Sequence, residues 1–279
     1  MRTSSEQAFA TVGGQIGYYA VSAEHLTKSY ELGELASLHR TISTVANRVL
    51  NRGDPPRGYA AVNDVTFTIE PGECFALIGA NGSGKTTLSR IIAGITLPTS
   101  GVVHIRGRVL PLLNVAAAFH PELNGRENVE LFGTILGLDP DEIAAVTPEI
   151  AAFSGIDRDH LATPTKQFSE GMQARLAFAI ALRLPAEVYI FDEVLVVADT
   201  AFKAACVAEI KALADRGRTV IFISHELPLV RSICTRGMWI DRGRVRMIAP
   251  IDDLLDAYVE SREPDEAAGV DDAARAEPG

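Results

Sequence analysis

The spacing of apolar residues along the chain predicts many short strands. Alternation at Val65, Phe67 and Ile69 predicts a half-buried strand over 62–70, and the continuous apolar run 74–78 is typical of a strand buried on both faces. Similar patterns predict strands at 18–30, 102–107, 188–191 and 219–223, and a hairpin formed by 237–240 and 244–248.

Apolar residues at three- and four-residue steps predict helices in two regions. The longer region covers 115–182. The other is an amphipathic helix over 33–51, where Leu35, Leu38 and Ile42 share one face. Because this helix separates two strands expected to be neighbours, it is an insertion that either packs on the core or contacts a partner.

The two ends of the chain lack such a pattern. Residues 1–17 are polar and contain glycine, which predicts a flexible N-terminus. Residues 251–279 are predicted to form a short helix followed, from residue 261, by a disordered acidic tail.

A glycine-rich segment lies between the strand at 74–78 and the helix that follows it. The segment is Gly79-Ala80-Asn81-Gly82-Ser83-Gly84-Lys85-Thr86-Thr87, which fits G-x-x-x-x-G-K-[ST]. In that motif backbone N–H groups and the helix N-terminus surround an anion. We expect Lys85 to supply positive charge to the outer phosphates and Thr86 to offer its hydroxyl to Mg²⁺. The alternative is a plain glycine turn, but the flanking elements and the Lys-Thr pair favour nucleotide binding.

Two acidic residues end a second buried run. Asp192 and Glu193 follow 188–191, at the carboxyl end of a predicted strand. A carboxylate there is placed to hold Mg²⁺ beside Thr86, and Glu193 is placed to orient or deprotonate a water that attacks the γ-phosphate. The alternative is a pair of acids that simply begin a loop. The glycine motif upstream favours the catalytic interpretation.

Composition narrows the function classes. The chain has 279 residues, is 47% hydrophobic and carries a net charge of −10, which argues against broad nucleic-acid affinity. Its three cysteines, Cys74, Cys206 and Cys234, lack metal-ligand spacing and indicate a reducing compartment. We expect neither a signal peptide nor a membrane span of about 20 apolar residues. A role at a membrane would therefore require a partner chain that crosses it.

One further segment carries a family resemblance. Phe168-Ser169-Glu170-Gly171-Met172-Gln173-Ala174-Arg175-Leu176 begins a helix whose first N–H groups are free to meet an anion. The segment resembles the signature motif of ATP-binding-cassette (ABC) ATPases, in its Ser-x-Gly-Met-x-x-Arg-Leu form. The resemblance implies that Ser169 and Gly171 cap the γ-phosphate of ATP held by a second subunit. An ordinary N-cap by Ser169 is compatible with that role.

Other positions match the family's motifs in chain order. Asp199 matches the dimer-contact aspartate, and His225 matches the switch histidine that contacts the γ-phosphate. Tyr30 matches the aromatic that stacks on adenine, with Tyr59 as the alternative. The γ-phosphate-sensing glutamine is replaced, since alignment from 120–128 places Asn114 there. The resemblance assigns nucleotide contacts also to Gly79, Asn81, Gly82, Ser83, Gly84, Lys85, Thr86 and Thr87, Mg²⁺ contacts to Thr86, Asp192 and Asn114, and catalysis to Glu193, His225 and Lys85.

The resemblance implies a fold and an assembly. The fold is α/β: an ABC-type P-loop NTPase domain over 18–250, with a RecA-like core sheet, an antiparallel β subdomain and a helical subdomain at 115–182. Residues 111–128 and 192–195, together with Gly171-Met172, look like the polysaccharide-exporter branch, which includes exporters of O-antigen, teichoic acid, capsule and galactan precursors. The branch's appended carbohydrate-binding domain is not expected in this chain.

In that branch an ATPase homodimer works with two copies of a multi-span permease at the cytoplasmic face of the inner membrane, using ATP and Mg²⁺. The permease handles most of the lipid-linked glycan. The alanine-rich acidic composition slightly favours galactan, by association only. The alternatives are a soluble ABC ATPase that acts on nucleic acid or ribosomes, which the acidic charge disfavours, and a P-loop kinase.

Overall fold

The computed structural model of the chain describes residues 19–30, 59–112, 119–193 and 200–273. The strands are β1 (Val21–Tyr30), β2 (Tyr59–Ile69), β3 (Cys74–Ile78), β4 (Ser100–Ile105), β5 (Val109–Leu112), β6 (Val188–Asp192), β7 (Thr219–Ile223), β8 (Arg236–Asp241) and β9 (Arg244–Pro250). The helices are α1 (Lys85–Ile92), α2 (Gly125–Ile135), α3 (Pro140–Ser154), α4 (Arg158–Leu161), α5 (Glu170–Arg183), α6 (Thr200–Asp215), α7 (Leu227–Ile233) and α8 (Ile251–Ala273), with a 3₁₀ turn at Thr165–Gln167. Across these ranges, no helix is both long and apolar enough to span a membrane.

The larger sheet has the strand order β5-β6-β7-β3-β8-β9 and is parallel except for the final pair, β8 and β9. Every residue of β3, β6 and β7 is buried, as expected for strands covered on both faces. Because β3, β6 and β7 are parallel neighbours, their carboxyl ends meet at one edge of the sheet. The segments that follow them, which begin at Gly79, Glu193 and Ser224, are therefore brought together there.

A smaller antiparallel sheet, ordered β2-β1-β4, packs over helix α1. Leu26 and Val65 of this sheet share one buried cluster with Leu88 and Ile91 of α1 and with residues of β3. Tyr30 and Tyr59 are directly opposed where β1 ends and β2 begins. The same end of β2 lies beside the glycine segment, so the smaller sheet forms a wall of the candidate site.

Helices α2 to α5 form the helical region predicted over 115–182. Helix α2 begins with a capping box, in which the Asn124 side chain accepts from Glu127 N–H and the Glu127 carboxylate accepts from Asn124 N–H. Asn128 is completely buried, and its side chain binds the backbone of His120, Leu123 and Asn124. This amide holds the segment before α2 against the helix, which fixes where the helical region joins the larger sheet.

Two parts of the structure differ from the sequence-based expectation. Strand β5 was not predicted because it has only four residues and contains Pro111. It is an edge strand, where a missing N–H need not remove a ladder hydrogen bond. Helix α8 continues to Ala273, further along the chain than the short helix expected from the sequence. Residues 274–279 of the predicted acidic tail lie outside the described residues. The N-terminus 1–17 and the inserted helix at 33–51 lie outside the described residues.

Candidate nucleotide-binding site

The glycine segment joins β3 to α1 in a conformation that only glycine adopts easily. Gly84 has φ +110°, and a Cβ there would lie 2.2 Å from the Ala61 carbonyl oxygen. Gly79 has φ +151° and would meet the Ile240 carbonyl oxygen at the same distance. Gly243 N–H donates to the Ser83 carbonyl at 2.8 Å. Backbone from β2 and from the β8–β9 turn therefore holds the loop in shape from both sides.

Lys85 is folded back onto this loop. It is 6% exposed, and its Nζ donates to the carbonyls of Gly79 at 2.7 Å and Ala80 at 2.9 Å. Burial lowers the pKa of Lys85, while the negative charges of Glu193 and Asp192 raise it. The ammonium is thus bonded to two loop carbonyls and feels the charge of two carboxylates. It can exchange the carbonyls for the oxygens of a bound phosphate.

The loop fits a bound polyphosphate in three respects. The Ser83 hydroxyl is buried and has no hydrogen-bond partner among the described residues, so it has capacity for one more contact. A Cβ on Gly82 would meet no atom of the described residues within 4 Å, which leaves room for a ligand. The first N–H groups of α1 have no intrahelical acceptor, and the positive end of the helix dipole lies at this loop.

Ser89 connects the loop helix to the acidic end of β6. Its hydroxyl lies 3.1 Å from the Thr86 carbonyl and 3.4 Å from Asp192 Oδ2. Asp192 is 7% exposed, and burial, reinforced by the charge of Glu193, raises the pKa of its carboxyl to about 6. Ser89 thus joins the Asp192 carboxylate to the helix turn that carries Thr86, and a carboxylate and a threonine hydroxyl are oxygen donors of the kind that Mg²⁺ prefers. No sequence motif indicated Ser89, although a serine one turn after Thr86 on the same helix is a usable signal.

Glu193 and His225 form a contacting pair at the adjoining strand ends. His225 Nε2 lies 2.6 Å from Glu193 Oε1, and both side chains are about half exposed. Glu193 has φ +54°, an uncommon conformation for a residue with a side chain, and its N–H donates to the Ile223 carbonyl at 2.9 Å. Backbone strain of this kind clusters at functional sites. The carboxylate is thus directed to the open edge of the sheet together with the imidazole.

The two tyrosines considered for adenine contact have different environments. The Tyr59 hydroxyl donates to the Gly82 carbonyl at 2.9 Å, and the residue is 54% exposed. Tyr30 is half-buried, with Lys28 Nζ 5.0 Å from its ring centre. Sequence context favoured Tyr30, whereas the structure brings Tyr59 into contact with the loop.

The signature segment begins α5. Ser169 is the N-cap, and its hydroxyl accepts from Met172 N–H at 3.2 Å. Among the described residues, the nearest atom to a Cβ built on Gly171 is Ser169 Oγ, 4.0 Å away, so the backbone there is open to approach. This helix start is therefore accessible to an incoming anion. Two further predicted residues, Asn114 and Asp199, lie outside the described residues, and their roles stay predictions.

Several known proteins are similar to this chain in sequence. A family model described as "ABC transporter" matches residues 62–196. The O-antigen export system ATP-binding protein RfbB of Klebsiella pneumoniae is 40% identical over 202 residues, which cover 72% of this chain and 82% of that protein. The teichoic acids export ATP-binding protein TagH of Bacillus anthracis is 34% identical over 242 residues, which cover 87% of this chain but only 43% of that protein.

Solved structures show the same fold. A dimeric ATP-binding cassette, MJ0796, in a post-hydrolysis state bound to ADP and Pi, matches with a TM-score of 0.67 at 22% identity. The match covers 83% of this chain and 98% of that structure. The predicted fold class is confirmed by this match.

Proposed function

The chain belongs to the ABC transporter family of ATP-binding proteins, and from that premise we propose that it is the ATPase subunit of a polysaccharide exporter. The observation that carries the ATPase role is the convergence of Lys85, Asp192, Glu193 and His225 at one edge of the larger sheet. The export role is supported by relatives whose names state O-antigen or teichoic acid export. These relatives do not favour the nucleic-acid alternative, and galactan as the glycan stays a prediction.

The described residues divide the work of hydrolysis as follows. Lys85 exchanges its two loop carbonyls for phosphate oxygens, and Thr86 and Asp192 are the residues that would hold Mg²⁺. When bound, that ion neutralises charge that develops on the phosphoryl oxygens. Glu193 orients the attacking water, and His225 keeps the Glu193 carboxylate directed at it. The chemistry then depends on charge stabilisation and positioning, as is usual for phosphoryl transfer.

One protomer supplies only half of this site in the proposal. Ser169 and Gly171 of a second copy would approach the phosphates held by the loop of the first. The open backbone at Gly171 and the free N–H groups at the start of α5 support that arrangement. A structural relative is a dimer with ADP and Pi bound, which agrees with two copies acting together.

An apolar groove supports a contact with the membrane permease. Its lining includes Leu110 and Leu112 of β5, Phe132 and Ile135 of α2, and Ile180 of α5. Ile135 is 72% exposed, although a large apolar side chain is stabilised by burial. The groove lies where β5 leads into 113–118, the segment that contains Asn114. We place the permease contact here, at the cytoplasmic face of the inner membrane, so that closure of two ATPase copies moves the permease.

Extraction of the tagged protein from its native membranes tests this function. We expect a multi-span membrane protein to co-purify and ATP hydrolysis by the complex to be stimulated by lipid-linked glycan. Ile135→Asp should weaken co-purification, whereas Val259→Asp, at an exposed apolar position on α8, serves as the matched control. If the wild-type chain is fully active without any membrane partner, the export proposal fails. If both variants co-purify with the membrane protein equally well, the groove is not the permease contact.

A further inference from the structure

An ion pair links helix α6 to the turn that carries His225. Lys203 lies in the first turn of α6, and its Nζ is 2.5 Å from Oε2 of Glu226. The two side chains are 27% and 43% exposed. Ion pairs with this much exposure add about 0–1 kcal/mol to stability. The pair therefore contributes little to the stability of the protein. Its position, next to the turn that carries His225, is more informative.

The turn after β7 is fixed at each of its residues. Ile223 accepts from Glu193 N–H, and the buried Ser224 hydroxyl accepts from Glu226 N–H at 3.1 Å. His225, between Ser224 and Glu226, reaches Glu193 Oε1. Any shift of Glu226 therefore moves the backbone that carries the imidazole.

Glu226 stands at the N-cap of α7 but does not use its side chain to cap that helix. By contrast, Ser169, Asn124 and Asp157 accept N–H groups of their own helices. Glutamate is not among the residues that cap well, and Pro228 follows in the first turn of α7. The Glu226 carboxylate is directed to Lys203 instead, so the helix start is anchored from outside.

We infer that Lys203 and Glu226 are positioning residues that hold His225 against Glu193 during ATP hydrolysis. This inference rests on the proposed function, because it concerns the catalytic step of the same site. Neither side chain needs to touch the nucleotide. The pair fixes the turn at one end while β7 fixes it at the other, and a misplacement of about 1 Å at such a site can cost roughly 100-fold in rate.

The chain offers a matched control pair. Arg183 Nη1 and Nη2 contact Glu209 Oε2 and Oε1 at 2.8 and 3.0 Å, which ties α5 to the middle of α6. This pair has similar chemistry and also involves α6, but it does not involve the turn at 223–226. A variant that breaks this control pair shows how the loss of an ion pair on α6 affects kcat when the turn at 223–226 is not involved.

The test measures ATPase kinetics and nucleotide affinity of the dimeric protein with its membrane partner. Lys203→Met and Glu226→Gln should lower kcat about 10- to 100-fold and leave the Kd for ATP unchanged. Lys203→Arg, which keeps the pair, should retain the wild-type rate. Glu209→Gln should leave kcat unchanged, even where it lowers the melting temperature.

A double-variant measurement separates positioning from structure. In a His225→Ala background, Lys203→Met should cause little further loss of kcat, because the ion pair acts through the imidazole. The inference is overturned if both pair variants keep wild-type kcat, if their losses multiply with that of His225→Ala, or if Glu209→Gln loses as much. An inactive wild-type protein would instead refute the proposed ATPase function, which is a distinct result.

Discussion

Asp192→Asn should stabilise the nucleotide-free protein at neutral pH while abolishing its catalysis. The Asp192 carboxyl is almost fully buried at the end of β6, and burial together with the charge of Glu193 raises its pKa from the ordinary 3.8 to about 6. Asparagine has the same shape and carries no charge, and its carbonyl oxygen can still accept from the Ser89 hydroxyl. The substitution therefore removes mainly the cost of ionising a buried acid.

The size of this effect follows from the pKa. Each tenfold change in the ionisation equilibrium corresponds to about 1.4 kcal/mol, so a rise from 3.8 to about 6 corresponds to roughly 3 kcal/mol. That figure is an upper value, because water in the open cleft screens part of the charge and because Lys85 loses a neighbouring anion. We expect the variant to be more stable than the wild type by about 1–3 kcal/mol above pH 7.

The sign of the pH dependence is fixed by which state holds the proton more tightly. The folded protein keeps the Asp192 proton up to about pH 6, whereas the unfolded chain releases it near pH 4. The wild-type free energy of unfolding therefore falls as pH rises from about 4 to about 6 and stays low above that range. The free energy of unfolding of Asp192→Asn does not fall in this way, because asparagine has no proton to release. Near pH 4 the wild-type side chain is also uncharged in the folded state, so the two proteins should be about equally stable there.

Urea unfolding without nucleotide or Mg²⁺ measures this difference at several pH values. Asp253→Asn, which removes one exposed carboxylate from α8, gives the effect of net charge alone. Adding ATP with Mg²⁺ should raise the unfolding free energy of the wild type far more than that of Asp192→Asn. A difference between the two proteins that does not vary with pH, or a variant less stable than wild type above pH 7, would refute the reasoning.

Six other substitutions test the site. Gly84→Ala should abolish ATP binding, because its Cβ would overlap the Ala61 carbonyl oxygen; equilibrium dialysis with ATP measures this. Gly82→Ala meets no atom of the described protein within 4 Å, so it should lower the free energy of unfolding by only about 1 kcal/mol, through its positive φ. Glu193→Gln should keep ATP affinity and lose steady-state turnover, and hydrolysis near the wild-type rate would remove Glu193 from the mechanism. Tyr59→Phe should weaken ATP binding by about 1 kcal/mol through loss of the hydrogen bond to the Gly82 carbonyl. Tyr59→Ala and Tyr30→Ala, assayed with ATP and GTP, then show which ring contacts the base.

Local sequence patterns predicted the parts of the fold that depend on neighbouring residues. Continuous apolar runs indicated β3, β6 and β7, because a buried parallel strand needs apolar residues on both faces. Strand β5 was missed, since an edge strand of four residues that contains Pro111 has no local pattern to distinguish it from a loop. This segment is a strand because it pairs with β6, and the residues of β6 are far from it in the sequence. A pattern of neighbouring residues therefore cannot indicate it.

The same limit applies to the candidate site. Sequence motifs indicated Lys85, Asp192, Glu193 and His225 as separate residues, and their roles stay predictions. The structure adds contacts between residues far apart in the chain, such as His225 with Glu193. The Lys203–Glu226 pair could not have been predicted from the sequence, because a lysine on one helix and a glutamate before another are ordinary surface residues until the fold joins them.

The contact of Lys85 with its own loop has a consequence for the speed of nucleotide capture. Its two hydrogen bonds to the Gly79 and Ala80 carbonyls hold the loop in shape without a ligand. The entropy cost of ordering the loop is therefore met during folding and not during nucleotide binding. Association then requires Lys85 Nζ to exchange these two carbonyls for phosphate oxygens, while the loop backbone is already in place. Differences in affinity among variants of this loop should consequently be found in how long the nucleotide stays, and stopped-flow measurements would resolve the two rates.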